Sequence, residues 1–221
     1  MMIPNELWKT CTFLKKSAKK QMKKGFYILE KFLQETDIFD FSNHDVQKLA
    51  KSLSQGLNND IEISKKCFEY VRDEIRHSGD YKDDIVTCKA SDVLKYKTGW
   101  CYAKSHLLAA LLRANHIPCG LSYQRLTLSD DGSGDIYSLH GLNSVYLKNF
   151  GWYRIDPRGN KEGVNAEFDP PVEKLAFPIR FNGEKDFTKI YSEPLDIIVD
   201  TLTKYKTCES VRSNLPDIEI E

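Results

Sequence analysis

The chain has 221 residues, 41% apolar and 29% charged, which suits one globular domain, with or without an appendage, and supplies a full core. Thirty-two basic residues balance thirty-two acidic ones, so no global charge draws the chain to nucleic acid or to a membrane surface. No apolar run reaches the roughly 18 residues of a membrane span, and the opening MMIPNELWKTCTFLKK carries no secretory h-region, so the cytoplasm is the expected compartment.

In chain order, residues 5–33 read as a helix, bent at Gly25. Leu7, Cys11, Leu14, Ala18 and Met22 recur at three- and four-residue steps, and Lys15, Lys16, Lys19, Lys20, Lys23 and Lys24 fill the other side. With Lys9 added, no acid offsets these lysines between Leu7 and Leu29. The helix therefore offers either a solvated face or a docking face for an acidic partner. Asn43 caps a helix to about Leu57, with Val46, Leu49, Ala50 and Leu53 as its buried stripe. Asn58-Asn59-Asp60 then turns into an amphipathic helix carrying Ile63, Cys67, Tyr70, Val71 and Ile75, which ends near His77-Ser78-Gly79.

Residues 78–90 read as irregular, and Ser91 or Asp92 caps a short helix over Val93-Leu94. After Lys97-Thr98-Gly99-Trp100-Cys101 comes a nearly all-apolar segment with Ala103, Leu107, Leu108, Ala110, Leu111 and Leu112, stopping at Asn115 before Ile117-Pro118. A helix apolar around most of its circumference is buried, and this one is the centre of the fold. Beyond it the period becomes two. Residues 119–128, 138–147 and 152–156 alternate between turns at 129–134 and 148–151, as antiparallel strands do. A strand around 175–181 and a helix from about Leu195 to Val211 complete the pattern before the acidic tail DIEIE. Helices first and strands afterwards define an α+β fold, a helical N-terminal part with a central buried helix packed on an antiparallel sheet. Residues 1–60 are expected to form a helical extension packed on a domain spanning 61–221.

Six cysteines, Cys11, Cys67, Cys88, Cys101, Cys119 and Cys208, include no C-x-x-C pair, and His116-x-x-Cys119 has nothing to pair with at ligand distance. Free thiols are expected, with no metal and no cofactor. Cys101 differs from the rest in context. It stands where a Gly-containing turn enters the buried helix, and the helix macrodipole and free N–H groups there favour thiolate, pulling a thiol below its usual value of about 8.5. Gly99 allows close backbone approach over the sulfur. The strands supply a base: His140 lies in the alternating run Ser138–Val145, and Asp156 ends the next strand before Pro157. If the hairpin turns about 148–150, Asp156 falls opposite His140 or one diagonal step away, within reach to hold the imidazole's tautomer. Each residue alone is ordinary packing or an ordinary turn; their order and contexts together make a Cys–His–Asp candidate.

The segment KASDVLKYKTGWCYAKSHLLAALLRANHIPCGLSY resembles the core of the transglutaminase-like superfamily, a short helix, then G-x-C, then an apolar helix ending L-R-A-x-G-I-P. Gly99-Trp100-Cys101 carries the first signature and Leu111 to Pro118 the second, with His116 where the family commonly has glycine. His140 followed by Trp152-Tyr153-Arg154-Ile155-Asp156-Pro157 is similar to the family's H…W-x-x-x-D-P block. Upstream, Tyr70 to His77 resembles the preceding helix, with His77 at a position usually aromatic. The resemblance spans about residues 65–160.

It implies a papain-like α+β fold in which Cys101 attacks a carboxamide or peptide carbonyl, His140 moves the proton and Asp156 orients His140. Water as acyl acceptor makes a peptidase or amidase, and an amine makes a transglutaminase. Relatives without the triad serve as binding modules, a reading that the lysine-rich first helix would suit. The Cys101 backbone N–H is the first oxyanion donor. The glutamine that papain places six residues before its cysteine has no counterpart, Lys95 standing there, so the second donor is open. Trp100 and Trp152 are candidate walls of a cleft for a peptide or protein substrate.

Overall fold

The computed structural model describes residues 29–129, 131–132 and 134–218. The lysine-rich stretch therefore lies outside the described residues, and of the helix expected over 5–33 only residues 29–33 are described. Leu29 and Glu30 are helical, and the chain turns at once through Phe32 N–H to Leu29 O (3.0 Å) and Leu33 N–H to Glu30 O (3.0 Å), short of the expected end at residue 33.

Helix α1 (His44–Ser54) starts as the sequence predicts, with the Asn43 side chain accepting from the Asp45 and Val46 N–H groups. Helix α2 (Asp60–Glu74) is capped in the same way by Asn59. It ends at Glu74, short of the expected end near His77, because Arg76–His77 leave the helix as a strand, β1, that pairs in parallel with β2 (Thr98–Gly99). The stretch read as irregular holds a single helical turn, α3 (Ser78–Tyr81). Helix α4 (Ala90–Tyr96) begins before either expected cap. Ser91 is engaged elsewhere, its N–H and hydroxyl both donating to the Asp40 carboxylate.

Helix α5 (Cys101–Ala114) is buried from Cys101 through Arg113, as its composition requires. It ends in a Schellman arrangement: His116 N–H donates to Arg113 O (2.9 Å), Ile117 N–H donates to Leu112 O (3.0 Å), and His116 sits at φ 58°. That left-handed conformation is the physical reason a glycine is preferred there. The polar side chains that α5 buries, His106, Lys104 and Arg113, each donate to backbone carbonyls, although His106 Nε2 is buried without a partner among the described residues. His106 Nδ1 donates to Cys88 O (2.8 Å), and burial pushes the ring down to about 4. Lys104 Nζ donates to the Arg72 and Ile75 carbonyls at the end of α2, and burial with Arg158 nearby pushes the amine down to about 7.

Arg113 donates twice to Cys119 O (3.0 and 2.8 Å), to Gln34 O (2.7 Å) and to Ser192 O (2.7 Å), stitching two distant segments and the start of the following strand to one helix end. Arg113→Met keeps the bulk and removes the guanidinium's donors from one buried and two partly buried carbonyls. It is expected to lower stability by roughly 3–5 kcal/mol, read as a lower urea midpoint at unchanged slope. A midpoint within experimental error of the parent would show that those carbonyls are satisfied without the guanidinium.

The sheet has the order β5-β4-β3-β8, with β3 (Cys119–Thr127), β4 (Tyr137–Leu147), β5 (Gly151–Ile155) and β8 (Lys185–Asp186) antiparallel throughout. Two further short strands, β6 (Glu167–Asp169) and β7 (Val172–Lys174), form a hairpin. The expected strand at 175–181 is absent. Its backbone is committed to side chains, Ala176 N–H donating to Asp156 and Phe177 O accepting from Gln124, and Pro178 lacks a donor. The final helix is two, α6 (Asp196–Lys204) and α7 (Cys208–Arg212), because Thr207 starts a new capping box with Ser210. The molecule is α+β, with α5 between the helical layer and the sheet. No helix among the described residues is long and apolar enough to cross a membrane.

Candidate active site

Cys101 is the first residue of α5, behind an extended Trp100. Its backbone N–H is among the four at a helix start that have no partner within the helix. Three contacts fix this helix end against β4. The Tyr102 hydroxyl donates to Leu139 O, Asn143 Nδ2 donates to Ser105 O (2.9 Å), and Gly141 packs so closely that a Cβ there would lie 2.8 Å from Tyr102 Cδ1. His140 stands between two of these anchors and lines the same cavity as Cys101, near enough for the sulfur to act on the imidazole's charge.

Asn143 pairs with Ile155, so continuing the register sets Asp156 opposite Leu142, one diagonal step from His140. The reach is made: His140 Nε2 donates to Asp156 Oδ2 at 2.8 Å, leaving Nδ1 for the thiol. The carboxylate is completely buried and takes two more donors, Ala176 N–H on Oδ2 (3.2 Å) and Arg158 N–H on Oδ1 (3.1 Å). Burial alone would push this carboxyl up, but the imidazole and the three hydrogen bonds override it and hold Asp156 below its ordinary value. Burial would likewise push His140 down, yet the Asp156 charge and the Cys101 sulfur hold it up at about 10. Phe177 meets the His140 ring edge-on at 5.1 Å and covers it.

Cys101 and His140 stand at a cavity of about 180 Å³, whose walls also include His77, Trp100, Arg158 and Phe177, while Asp156 lies buried behind His140. Trp100 is where the sequence places it, and its buried Nε1 has no hydrogen-bond partner among the described residues. Trp152 is not brought to the cleft. It lies four residues before Asp156, about 13 Å along a strand rising roughly 3.3 Å per residue, and stacks edge-on with Phe32 (4.7 Å) and Tyr146 (5.5 Å). Gly99 makes its close approach to protein: a Cβ would meet Ala103 Cβ at 3.1 Å and Thr87 Oγ1 at 3.2 Å.

Sequence reasoning did not find Arg158, Ala176 and Phe177 as parts of this site. Arg158 follows Asp156-Pro157 and could have been suspected; nothing in the sequence marks the other two. Among the described residues no group of three or more His, Cys, Asp or Glu is placed to hold a metal ion.

A family model for the transglutaminase-like superfamily matches residues 47–157, half of the chain, and the protein belongs to that superfamily. The match begins inside the stretch expected to be an N-terminal extension. Among solved structures, the chain is similar to a candidate cysteine protease from Cytophaga hutchinsonii, at 18% identity and a TM-score of 0.47, covering 57% of this chain and 40% of that one. It is similar to the periplasmic domain of TgpA from Pseudomonas aeruginosa, at 20% identity and a TM-score of 0.43, covering 57% and 45%. A third is red sea bream transglutaminase, at 12% identity and a TM-score of 0.38, covering 51% and 26%. The matched region thus spans less than half of each of these chains. No curated protein matches.

Proposed function

We infer that the protein is a cysteine-nucleophile amidohydrolase, a peptidase or amidase acting through a thioester on Cys101. The observation that carries this reading is the His140–Asp156 bond with the imidazole set against a thiol at the start of a buried helix, open to a cleft. Cys101 Sγ attacks the carbonyl carbon of a peptide or side-chain carboxamide, and the Cys101 N–H receives the developing oxyanion. His140 gives its proton to the departing amine, the C–N bond breaks, and an acyl thioester remains. Water then attacks the thioester, His140 takes its proton, and the acid leaves. Asp156 fixes the ring and balances its charge throughout. An amine in place of water gives the transglutaminase outcome. We place the enzyme in the cytoplasm, where a cysteine nucleophile stays reduced.

Alkylation by iodoacetamide, read cysteine by cysteine by mass spectrometry across pH, tests the thiol–imidazole pair. Burial pushes Cys67 and Cys119 up to about 12, Cys88 up to about 11, and Cys208 up as well. Cys101 is expected to react at least about tenfold faster than these four at pH 6 and to lose that advantage in His140→Ala. If Cys101 reacts no faster than the others, the enzyme reading gives way to a binding module on the same fold.

A further inference from the structure

The cleft holds a second histidine with no task in that scheme. His77 ends β1, its pairing with Gly99 sets it beside Trp100, and the two rings meet edge-on at 5.5 Å. Its Nδ1 is buried without a hydrogen-bond partner, and Asp80 Oδ2 lies 3.6 Å away, an ion-pair distance too long for a hydrogen bond. Asp80 cannot move away, since Arg158 grips both its oxygens (2.6 and 2.9 Å) and Lys161 holds one (2.8 Å). The same Arg158 donates its backbone N–H to Asp156, so one residue braces the carboxylates behind both histidines.

The carboxylate on the Nδ1 side favours the neutral tautomer with its hydrogen on Nδ1, which makes Nε2 the acceptor of a ring that lines the cleft. Burial, with the charges of Arg158, Lys104 and His140, holds His77 well below its ordinary value against the opposing pull of Asp80. The ring is therefore an acceptor at neutral pH and cannot serve an oxyanion as a donor from Nε2.

We propose that His77 Nε2 is a positioning acceptor for the group that enters or leaves at the acyl carbon, holding one hydrogen of the attacking water while His140 takes the other. The proposal rests on Cys101 as the nucleophile. In the deacylation step the water oxygen bonds to the thioester carbon and one water proton passes to His140. The C–Sγ bond then breaks, its electron pair returning to Cys101, and the proton held by His77 stays on the product acid. By microscopic reversibility the leaving amine and the entering water occupy the same place, so an amide substrate feels His77 in both half-reactions. An ester with a good leaving group separates them, because p-nitrophenolate departs without a proton.

The experiment is stopped-flow hydrolysis of p-nitrophenyl acetate by the full chain, with the acetyl-enzyme followed by mass spectrometry. The unaltered protein is expected to show a burst of one p-nitrophenolate per chain that Cys101→Ala abolishes. In His77→Phe the burst rate stays within about twofold while the slow phase falls about tenfold, the scale of one lost hydrogen bond, and acetyl-Cys101 accumulates. His77→Gln, which restores an acceptor, recovers part of the slow phase and guards against a packing effect of the Phe. Equal changes in both phases, or none, overturn the role of His77 while leaving Cys101 in place. Absence of any Cys101-dependent burst overturns the nucleophile itself, and the His77 role with it.

Discussion

Cys101→Ala and His140→Ala are each expected to lower amide or ester turnover by about four to six orders of magnitude, and the double variant to be no worse than either alone. The groups act as one unit: without the imidazole the sulfur has no proton partner, and without the sulfur the imidazole has nothing to activate. Their effects on folding differ. Removing the Cys101 sulfur leaves the His140–Asp156 bond intact, so the variant should unfold close to the parent. His140→Ala leaves a fully buried carboxylate with two backbone donors and without its imidazolium partner, a loss of roughly 3–5 kcal/mol at neutral pH.

The pH dependence of that loss has a definite sign. His140 is held up from 6.5 to about 10, so its contribution is fully present below pH 6.5 and disappears as pH rises through about 10. Asp156 is held below 3.8, so its contribution is present above that value and disappears as pH falls. The parent and His140→Ala should therefore differ most between about pH 4 and 6.5 and converge toward pH 10, measured by urea unfolding. Full turnover in either alanine variant, confirmed free of parent enzyme, would remove the residue from the chemistry.

Much of this site was legible because it depends on short-range rules. The buried helix announces itself by apolar residues on every side, the cysteine by its place at that helix's start, and the His–Asp pair by a hairpin whose register follows from one turn. The diagonal placement of Asp156 needed only the count across residues 148–150. The features that stayed hidden are set by contacts between distant parts of the chain. Ala176 lies twenty residues beyond the carboxylate that its N–H serves, in a segment whose composition reads as strand. Asp80 lies in a stretch that looked irregular, and its meaning appears only when Arg158, seventy-eight residues later, closes on it. Trp152 was misjudged because nearness in sequence to Asp156 is not nearness in space along an extended strand. The single apolar pattern over 195–211 concealed a break, since Thr207 satisfies a new helix start better than it continues an old one.

Asp156→Asn isolates orientation from bulk. The parent carboxylate accepts all three of its hydrogen bonds, two on Oδ2 and one on Oδ1. An amide has one acceptor oxygen, so one side must turn N–H groups toward N–H groups. If the amide oxygen stays with His140 and Ala176, its NH₂ opposes Arg158 N–H. If it turns to Arg158, the NH₂ faces His140 Nε2 and forces the ring to carry its hydrogen on Nδ1, toward the thiol it must deprotonate. The second arrangement is the wrong tautomer, and either one deletes the charge that balances the imidazolium. Turnover should fall by about 10⁴-fold, mostly in kcat with KM little changed. Two readouts distinguish this from simple loss of packing. The His140 imidazole, followed by NMR, should drop from about 10 to below 6.5, since burial then acts on it without the Asp156 charge. The acid limb of stability should also flatten, because the variant has no carboxyl at this position to protonate as pH falls. An unchanged rate, with the imidazole still titrating near 10, would show that Asp156 only braces the turn to Arg158 and the 176 segment. The charge beside His140 would then have to come from Cys101 alone.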